Sequence, residues 1–545
     1  MSINRVEPDS GAARRWSAAL GTPLDFGLFV GISGLCALLV ALRPLNFLSD
    51  DSLFYLVIAD HIAAGQGSTF NGLFPTNGYH PLWELCAALL ALIPHTKAIL
   101  LGVGVAFQWL CTVATVSVLL GTLRTTFGRS GIAIFLSVII LLFVPMGNLF
   151  WTEAPLTMFF LAVLFAMSVS PATLRFAPVG IVLGLLFLSR LDNVFLVGCF
   201  VVGLWMRDRD WRLALSCAIC AAIAAAYLIT NQVAFGHVVP ISGAIKSATF
   251  RHNYFSGQLG ANGLLSLAGA VGLALVNSLR RSRPRRYRIA AISLASGVIL
   301  QSLYIVALTY GDTWWAWYYV PGYLCVALLA AEVGEWLPRI GPLPTGRTVL
   351  ALSVAIAAGI ATLRFSVNAS LHDPAPFSGN WRSQWIEEIA RALPEDRSVL
   401  VVFDQPGLFA YGTSHPVLSL DGLTSNYTVD ASLATRGMYA QLAGLGDAYL
   451  VAPRVADGAR ISAAVTSQRG IPGGQIVHFA TPLKGEDAGC IRVDGSGLVT
   501  TLEVPRALHG GNWGVWKLTP RTMRSVRCPA GDSTPARSSS YSIQF

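Results

Sequence analysis

The sequence predicts a polytopic α-helical membrane protein of about 11 transmembrane helices, followed by a C-terminal extracytoplasmic α/β domain. Hydrophobic residues make up 54% of the 545 residues, and charged residues make up only 12%. A soluble protein of this size carries about a quarter charged residues. Long apolar runs fill the first two thirds of the chain, whereas charged residues, glycine and proline return at soluble frequencies from about residue 366. The chain therefore divides into a membrane region at 24–365 and a water-exposed region beyond it.

The membrane spans are predicted from apolar runs of roughly 17 residues or more. These runs lie at 24–43, 98–123, 130–147, 154–170, 173–189, 193–207, 212–230, 260–279, 289–310, 317–333 and 347–365. The first run is followed by Arg43-Pro44 without a small-residue cleavage site, so it is interpreted as a retained helix and not as a signal peptide. The run at 81–94 is shorter and ends at Pro94. It predicts a partly embedded helix that returns to the side it came from.

The distribution of arginine predicts which side of the membrane each loop faces. Cytoplasmic loops are enriched in Lys and Arg, and the densest basic cluster, at 279–288, lies between two apolar runs. With an N-terminal tail at 1–23 in the cytoplasm, the other arginine-rich loops fall on the same side. We therefore expect a multi-pass protein of the cytoplasmic (inner) membrane whose C-terminal region lies outside. Because the net charge of +9 is concentrated in these loops, it does not indicate a nucleic-acid partner.

The region after the last apolar run has the pattern of an α/β domain. Short β-rich runs bounded by turn residues lie at 399–404, 415–422 and 447–453. An amphipathic helix at 385–393 precedes them. This order predicts an α/β domain at 366–528 and a disordered Ser/Pro-rich tail at 529–545.

The cysteines leave one question open. Cys217 and Cys220 form a C-x-x-C inside an apolar run without His or acidic neighbours, which indicates packing and not a redox or zinc site. Cys490 and Cys528 are the two cysteines beyond the last apolar run. In an extracytoplasmic region they can form a disulfide, and two free thiols are the alternative.

The first outer loop, at 44–97, carries an adjacent acidic pair, Asp50 and Asp51. At mid-bilayer each carboxylate would cost about 2.5–3.5 kcal/mol, so the pair must lie at the water edge or in a wet cavity. Asp50 also fits the N-cap of the following helix. Two carboxylates are more than a cap requires, and the pair is therefore a candidate for catalysis.

Further unusual polar and aromatic residues fall on the same predicted outer side. Asn77 and His80 belong to the first outer loop, and the later loops add more. These are Glu153, Arg190, Asp192, Lys246, Arg251, Asp312, Trp314, Trp315, Trp317, Tyr318 and Tyr319. Their convergence on one side of the membrane predicts a single site.

Each of these residues also has a simpler interpretation. The aromatic group suits an interfacial belt as well as stacking on the apolar face of a sugar. Arg190 and Asp192 can pair across a tight turn, and Glu153 can favour the dipole of the helix that follows it. Lys246 can be an ordinary loop charge.

The chemistry that needs such a set is glycosyl transfer from a lipid phosphate. A carboxylate at the outer edge can act as general base on a hydroxyl. Cationic residues, here Lys246, Arg251 and Arg190, can hold a phosphate leaving group. We therefore expect transfer of a sugar from a polyprenyl-phosphate donor to a hydroxyl of a glycan, lipid or protein acceptor at the outer face of the lipid bilayer.

Three alternatives stay open. A transporter or flippase for lipid-linked glycans would have internal repeats and broken helices at mid-membrane, and the sequence has neither. A non-catalytic glycan-binding membrane protein would not need the acidic pair. A lipid-linked phosphotransferase would differ in its products.

Several motifs together resemble the GT-C superfamily of integral membrane glycosyltransferases, in particular its arabinofuranosyl- and mannosyltransferase-like members of bacterial envelopes. The matching pieces are SDDSLFYLVIADHIAAGQGSTFN, NGYHPLW, TEAPL, LSRLDN, FGHVVPISGAIKS and FDQPGLFAYGTSHPVLSLDGLTSNY. They extend from about residue 24 to about residue 430, and the resemblance depends on their order and spacing.

The resemblance implies roles for individual residues. Asp50 would be the general base, and Asp51 would assist it or bind a metal. Lys246 would lie near the donor phosphate. Glu153 would be a third catalytic residue, although its Trp-Thr-Glu-Ala-Pro context departs from the Gly-x-Glu of relatives. The remaining outer residues would bind substrate.

The resemblance also implies two surface-lying helices in the first outer loop, which matches the segments 51–64 and 81–94. Some members of the superfamily need a divalent metal such as Mg or Mn and others do not. The acidic pair and Glu153 leave that choice open.

Overall fold

The computed structural model describes most of the chain between residues 23 and 526. The described ranges are 23–93, 95–143, 149–172, 175–248, 260–308, 316–335, 346–370, 398–402, 406–419, 447–453, 470–471, 474–480, 487–494, 498–503, 512–518 and 523–526, with the single positions 386, 389, 391, 393 and 424.

The described part of the chain is mostly helical. The helices are α1 (Pro23–Leu42), α2 (Pro44–Phe47), α3 (Asp50–Ala63), α4 (Pro81–Ala91), α5 (Lys97–Leu123), α6 (Arg129–Phe143), α7 (Ala154–Val169), α8 (Phe176–Ser189), α9 (Val194–Asp208), α10 (Leu213–Phe235), α11 (Ile241–Ala248), α12 (Gly260–Leu279), α13 (Arg285–Leu308), α14 (Val320–Gly334), α15 (Gly346–Ser370) and α16 (Pro406–Gly412). Each predicted span coincides with one of these helices. Short 3-10 helices lie at Leu191–Asn193 and Ala316–Tyr319.

Six of the helices are long and apolar enough to cross a membrane, judged by length and composition. They are Asp25–Leu42, Lys97–Leu123, Leu213–Phe235, Gly260–Leu279, Arg285–Ala307 and Ala316–Gly334. Helices α6, α7 and α8 are apolar but shorter. The total of about 11 spans therefore stays a prediction.

Small residues let the long helices approach one another closely. A Cβ added at Gly203 of α9 would lie 2.0 Å from the Ser293 hydroxyl of α13. A Cβ at Gly269 of α12 would lie 2.4 Å from the Val326 side chain of α14. Such contacts are typical of membrane helices, because close packing replaces the hydrophobic driving force between them.

The basic loop at 280–284 is joined to α14 through a buried carboxylate. Glu332 is 1% exposed. Its Oε2 accepts hydrogen bonds from Arg280 at 2.6 Å and from Arg283 at 3.0 Å. The Arg283 guanidinium also lies 4.5 Å from the centre of the Phe127 ring. The basic loop is therefore part of the packed helical core.

We expect Glu332→Gln to lower the free energy of unfolding by about 3–5 kcal/mol, because it leaves two inward-facing arginines without their carboxylate. Chemical unfolding in detergent micelles measures this change. Asp447→Asn is the matched control, because Asp447 pairs with Lys517 while 51% of the Asp447 side chain and 39% of the Lys517 side chain are exposed. Its loss should cost about 0–1 kcal/mol. Equal costs for the two variants would contradict the prediction.

The C-terminal region forms two sheets. The strands are β1 (Val399–Val402), β2 (Val417–Ser419), β3 (Ala448–Pro453), β4 (Gly470–Ile471), β5 (Gly474–Ala480), β6 (Asp487–Asp494), β7 (Leu498–Glu503), β8 (Asn512–Leu518) and β9 (Met523–Val526). The first sheet has the order β2-β1-β3-β8-β7, with β1 parallel to β2 and β3, and the second has the order β4-β5-β6-β9.

The three predicted β-rich runs contain β1, β2 and β3, whereas the sequence did not predict β4 to β9. Cys490 lies in β6 opposite Val526 of β9. Cys528, the other half of the predicted disulfide, lies outside the described residues. So do the tail at 529–545 and most of the predicted helix at 385–393.

A hydrophobic cluster joins the first outer loop to the C-terminal region. Buried side chains of α3 and α4 pack in one cluster with Leu408 and Phe409 of α16 and with Leu400, Tyr449 and Val515 of the first sheet. The two parts of the chain therefore share a core at the start of α3, which is where the acidic pair lies.

Candidate active site

The acidic pair opens helix α3 without capping it. Ser49 is the N-cap residue, and its Oγ accepts a hydrogen bond from the Ser52 backbone N–H at 3.2 Å. Asp50 and Asp51 are the first two residues of the helix. The interpretation of Asp50 as the N-cap is therefore wrong, because the neighbouring serine has that role. The pair remains to be explained by other contacts.

Asp50 binds the start of helix α16. Its Oδ1 accepts a hydrogen bond from the Leu408 N–H at 2.7 Å, and its Oδ2 accepts one from the Gly407 N–H at 3.2 Å. The two backbones are so close that a Cβ at Gly407 would lie 2.5 Å from the Asp50 carbonyl oxygen. Both oxygens of this carboxylate are thus oriented by backbone amides.

The other end of α16 is bound by a cation from the same outer loop. Lys97 donates hydrogen bonds to the carbonyl oxygens of Ala410 at 3.1 Å and Tyr411 at 3.3 Å. Anions favour the N-terminus of a helix and cations favour its C-terminus. Asp50 and Lys97 therefore bind opposite ends of α16 with the favourable signs.

The two aspartates lie on different sides of α3. Successive residues of an α-helix are about 100° apart, and residues four apart share a face. Asp50 shares its face with Phe54. The Phe54 ring also borders Gly407, because a Cβ added at Gly407 would lie 2.9 Å from it. Asp51 shares its face with Tyr55. The helical spacing thus places Asp50 on the face of α3 that meets α16, and Asp51 on the face that carries Tyr55.

Tyr55 leads to a buried network around Glu153, the residue before α7. The Tyr55 hydroxyl donates to Glu153 Oε2 at 3.1 Å and accepts from the His80 N–H at 3.4 Å. The His80 ring nitrogen Nε2 lies 3.8 Å from Glu153 Oε1. Arg190 donates to the same oxygen. Residues of four separate sequence motifs therefore meet at one carboxylate, and Tyr55 is the one that the sequence analysis did not single out.

Arg190 is enclosed by acidic partners. Its Nε and NH2 groups donate to Asp192 at 3.0 and 2.9 Å, and its NH1 group donates to Glu153. The guanidinium lies 4.7 Å from the centre of the Tyr318 ring, and only 3% of the side chain is exposed. The Arg190 charge is thus paired with two protein carboxylates, and its assignment to a donor phosphate stays a prediction.

Mutual attraction keeps these groups ionised. Burial alone raises the pKa of Glu153, but the charges of His80 and Arg190 outweigh it and hold that pKa below its ordinary value. Burial likewise raises the pKa of Asp192, and the Arg190 charge again makes the net shift downward. Burial and the Glu153 charge both raise the pKa of Tyr55, so its hydroxyl remains a donor. At neutral pH Glu153 is therefore a positioned anion and not a proton donor.

The turn that carries Glu153 is held by a buried glutamine of α5. Gln108 accepts from the Trp151 N–H at 2.6 Å and donates to the Thr152 carbonyl at 2.7 Å. Trp151 has a φ of 59°, which is uncommon for a bulky residue and costs about 1–3 kcal/mol. Its ring packs where Gly104 has no side chain, since a Cβ there would lie 2.3 Å away. In the sequence, the feature that could have indicated this role of Gln108 is a glutamine within an apolar run.

We expect Gln108→Leu to move Glu153 out of the network. The variant leaves the Trp151 N–H and the Thr152 carbonyl unpaired, at about 1–3 kcal/mol each. Thermal unfolding in detergent should show the loss, together with reduced catalytic activity. Gln232→Leu is the control, because Gln232 is exposed and bonds only to a nearby carbonyl. A Gln108→Leu variant with wild-type stability would contradict this account of the turn.

Asn77 connects the first outer loop to the loop that carries the predicted phosphate ligands. Its side-chain oxygen accepts a hydrogen bond from the Ile241 N–H at 3.0 Å, at the start of α11. Lys246 belongs to α11, although its side chain lies outside the described part of the chain. The backbone of α11 is thus fixed against the first outer loop.

The aromatic group is only partly described. Trp317 and Tyr319 are 4% and 2% exposed and belong to the helical core. Their predicted stacking on a sugar stays a prediction, because both rings are packed against protein. Tyr318 is half-buried and lies against Arg190. The remaining predicted site residues Arg251, Asp312, Trp314 and Trp315 lie outside the described residues.

The described residues do not gather a metal site. Within these ranges, no group of three or more His, Cys, Asp or Glu side chains is arranged to hold a metal ion. Asp50, one of the two suggested ligands, is oriented by the amides of α16. A divalent metal at the acidic pair therefore stays a prediction, and we derive no step through a metal.

Comparison with known proteins identifies the fold. No protein-family model matches the sequence, and no curated protein matches it significantly. Among solved structures, ArnT from Cupriavidus metallidurans in the apo state is similar over 81% of this chain and 93% of its own, with 16% identity and a TM-score of 0.51. The same protein bound to undecaprenyl phosphate is similar over 78% and 92%, with 15% identity and a TM-score of 0.51.

The fold is therefore that of the GT-C membrane glycosyltransferases, and the predicted resemblance is confirmed at the level of the fold. This chain resembles the solved ArnT structures over most of both lengths.

Proposed function

We propose that this protein is a membrane glycosyltransferase. It transfers a sugar from a polyprenyl-phosphate donor to a hydroxyl of an envelope glycan, lipid or protein at the outer face of the cytoplasmic membrane. The observation that carries the proposal is a GT-C fold in which the acidic pair lies beside the buried network of Glu153 and Arg190. The undecaprenyl phosphate bound to ArnT supports the choice of donor.

In this reaction Asp50 is the general base. A carboxylate offers about four lone-pair sites, and the amides of Gly407 and Leu408 occupy one on each oxygen. A remaining site takes the proton of the acceptor hydroxyl. Because two amides fix the carboxylate, no reorientation is needed when the proton moves.

The bond changes balance without a further reactant. The acceptor oxygen forms a bond to the anomeric carbon of the donor sugar, and the bond from that carbon to the phosphate oxygen breaks. The polyprenyl phosphate leaves with the electron pair. A single displacement of this kind inverts the configuration at the anomeric carbon. Lys246, carried by α11, is the residue that we assign to the departing phosphate.

The remaining acidic residues support this step. Asp51 lies on the Tyr55 face of α3, where it assists at the acceptor side. Glu153 and Asp192 are ionised by contact with Arg190. This network fixes Tyr55 and the loop around His80, so we assign it a positioning role.

The proposal is tested by reconstituting the full chain in liposomes with a panel of radiolabelled polyprenyl-phosphate sugars and membrane lipid extracts. We expect wild type to form a glycosidic product and the Asp50→Asn/Asp51→Asn double variant to lose at least about a hundredfold in rate. Equal rates would exclude this active site. Movement of labelled lipid across the bilayer without product would favour a flippase.

A further inference from the structure

Helix α4 contains a carboxyl group that the mechanism does not use. Glu84 is 2% exposed, and neither of its oxygens has a hydrogen-bond partner within the described ranges. The buried carboxylate of Glu153 differs from it, since Glu153 binds Arg190. A buried polar atom without a partner destabilises a protein, so folding alone does not explain Glu84.

The same short segment contains two more buried donors without partners among the described residues. They are the side-chain N–H groups of Asn77 and Trp83. Unsatisfied buried polar atoms are few in native proteins, and each calls for an explanation. The Trp83 ring packs against Phe107 and Trp151 in the core, so it is the unpaired atoms of Asn77 and Glu84 that we assign to a ligand.

Tyr79 lies within electrostatic range of Glu84, and burial raises the pKa of its phenol. The Tyr79 hydroxyl shares a hydrogen bond of 2.8 Å with Ser68. Burial raises the pKa of Glu84, which favours the un-ionised acid. Such an acid offers one donor and several acceptor sites.

We propose that Glu84 binds hydroxyl groups of a sugar ring, with Tyr79 beside it, and so contributes to sugar specificity. The inference depends on the proposed glycosyltransferase function. A carboxyl group that both donates and accepts suits a hydroxyl pair, and a site built to bond a hydroxyl rejects analogues that lack it. Glu84 lies one helical turn after His80, which contacts the Glu153 network. A sugar bound there lies close to the reacting groups.

The test compares Glu84→Met, which fills similar space without polar atoms, with Glu84→Gln, which keeps hydrogen-bonding capacity. We expect Glu84→Met to keep or raise the thermal midpoint, because it removes an unpaired buried carboxyl. Transfer should fall at least about tenfold, as expected for losing one hydrogen bond to substrate. Glu84→Gln should recover part of the rate. Asp60→Asn is the control, since Asp60 pairs with His95 in the same loop.

Two readouts locate the sugar and separate this inference from the proposed function. A raised KM for the donor lipid places the donor sugar at Glu84, and a raised KM for the acceptor places the acceptor sugar there. Independently of activity, methyl glycosides of glucose, mannose and arabinofuranose are added to wild type and Glu84→Met. At least one should raise the thermal midpoint of wild type and not that of the variant.

The inference is overturned if Glu84→Met keeps wild-type KM values in an active enzyme, or if all three glycosides act equally on both proteins. A lower midpoint for Glu84→Met with an unchanged glycoside response would assign the carboxyl a structural role and overturn it too. If wild type forms no product with any donor, the proposed function fails. The glycoside comparison then still decides whether Glu84 binds sugar.

Discussion

Replacing Asp50 with asparagine is expected to lower the rate of sugar transfer by about a hundredfold or more, the loss typical of a missing general base. Asparagine has nearly the same shape, and its side-chain oxygen can still accept one of the two amide hydrogen bonds from α16. The contact with Leu408, at 2.7 Å, is the shorter of the two. Helix α16 should therefore remain docked, so that the loss reflects chemistry. Product formation from a radiolabelled donor lipid measures it.

A second variant separates the chemistry of Asp50 from its contact with α16. Lys97→Met releases the other end of the helix, at Ala410 and Tyr411, without touching Asp50. It should reduce transfer only several-fold and make residues 406–412 easier to cleave by protease. If Lys97→Met costs as much as Asp50→Asn, the aspartate acts by holding α16 and is not the base. If Asp51→Asn is the more damaging variant, the two aspartates exchange roles.

The helices could be predicted because the bilayer imposes a length and a composition on each span. The runs at 212–230 and 260–279 correspond to α10 and α12 within a few residues. Strands β4 to β9 were missed because short strands carry a weaker pattern than long apolar runs, and their pairing depends on distant segments. The contact of Asp50 with Gly407 joins residues far apart in sequence. No local sequence pattern could predict this contact.

The candidate site was likewise only partly predictable from the sequence. Charged residues in an apolar chain are conspicuous, so Glu153, Arg190 and Asp192 were found from the sequence. What each one contacts was harder to infer. Arg190 was assigned to a phosphate because an arginine near a lipid-phosphate site is an expected ligand, yet it binds two carboxylates. Gln108 and Glu84 were overlooked because one polar residue in an apolar run is easily taken for packing.

The second large prediction concerns the buried network around Arg190. Arg190→Met removes the cation that pairs with both Glu153 and Asp192 and leaves only the His80 ring, 3.8 Å from Glu153, beside them. Breaking a buried ion pair of this kind costs about 3–5 kcal/mol at neutral pH. Transfer activity should fall with it. The thermal midpoint in detergent at pH 7 measures the destabilisation. The triple variant Arg190→Met/Glu153→Gln/Asp192→Asn should recover most of the lost stability, since no buried charge remains.

The pH dependence of stability is the most specific test of this prediction. In wild type the pKa values of Glu153 and Asp192 lie below their ordinary values of 4.5 and 3.8. Their contribution to stability is therefore complete above those values and is lost as the pH falls through the lowered ones. In Arg190→Met the sign reverses at Asp192, because the Arg190 charge is the main influence that lowers the pKa of Asp192 and burial then raises it. The folded variant then binds protons more readily than the unfolded chain, and it should gain stability as the pH falls from 7 to about 5. A variant that loses transfer but keeps the wild-type midpoint and pH profile would show that Arg190 binds the donor phosphate after all.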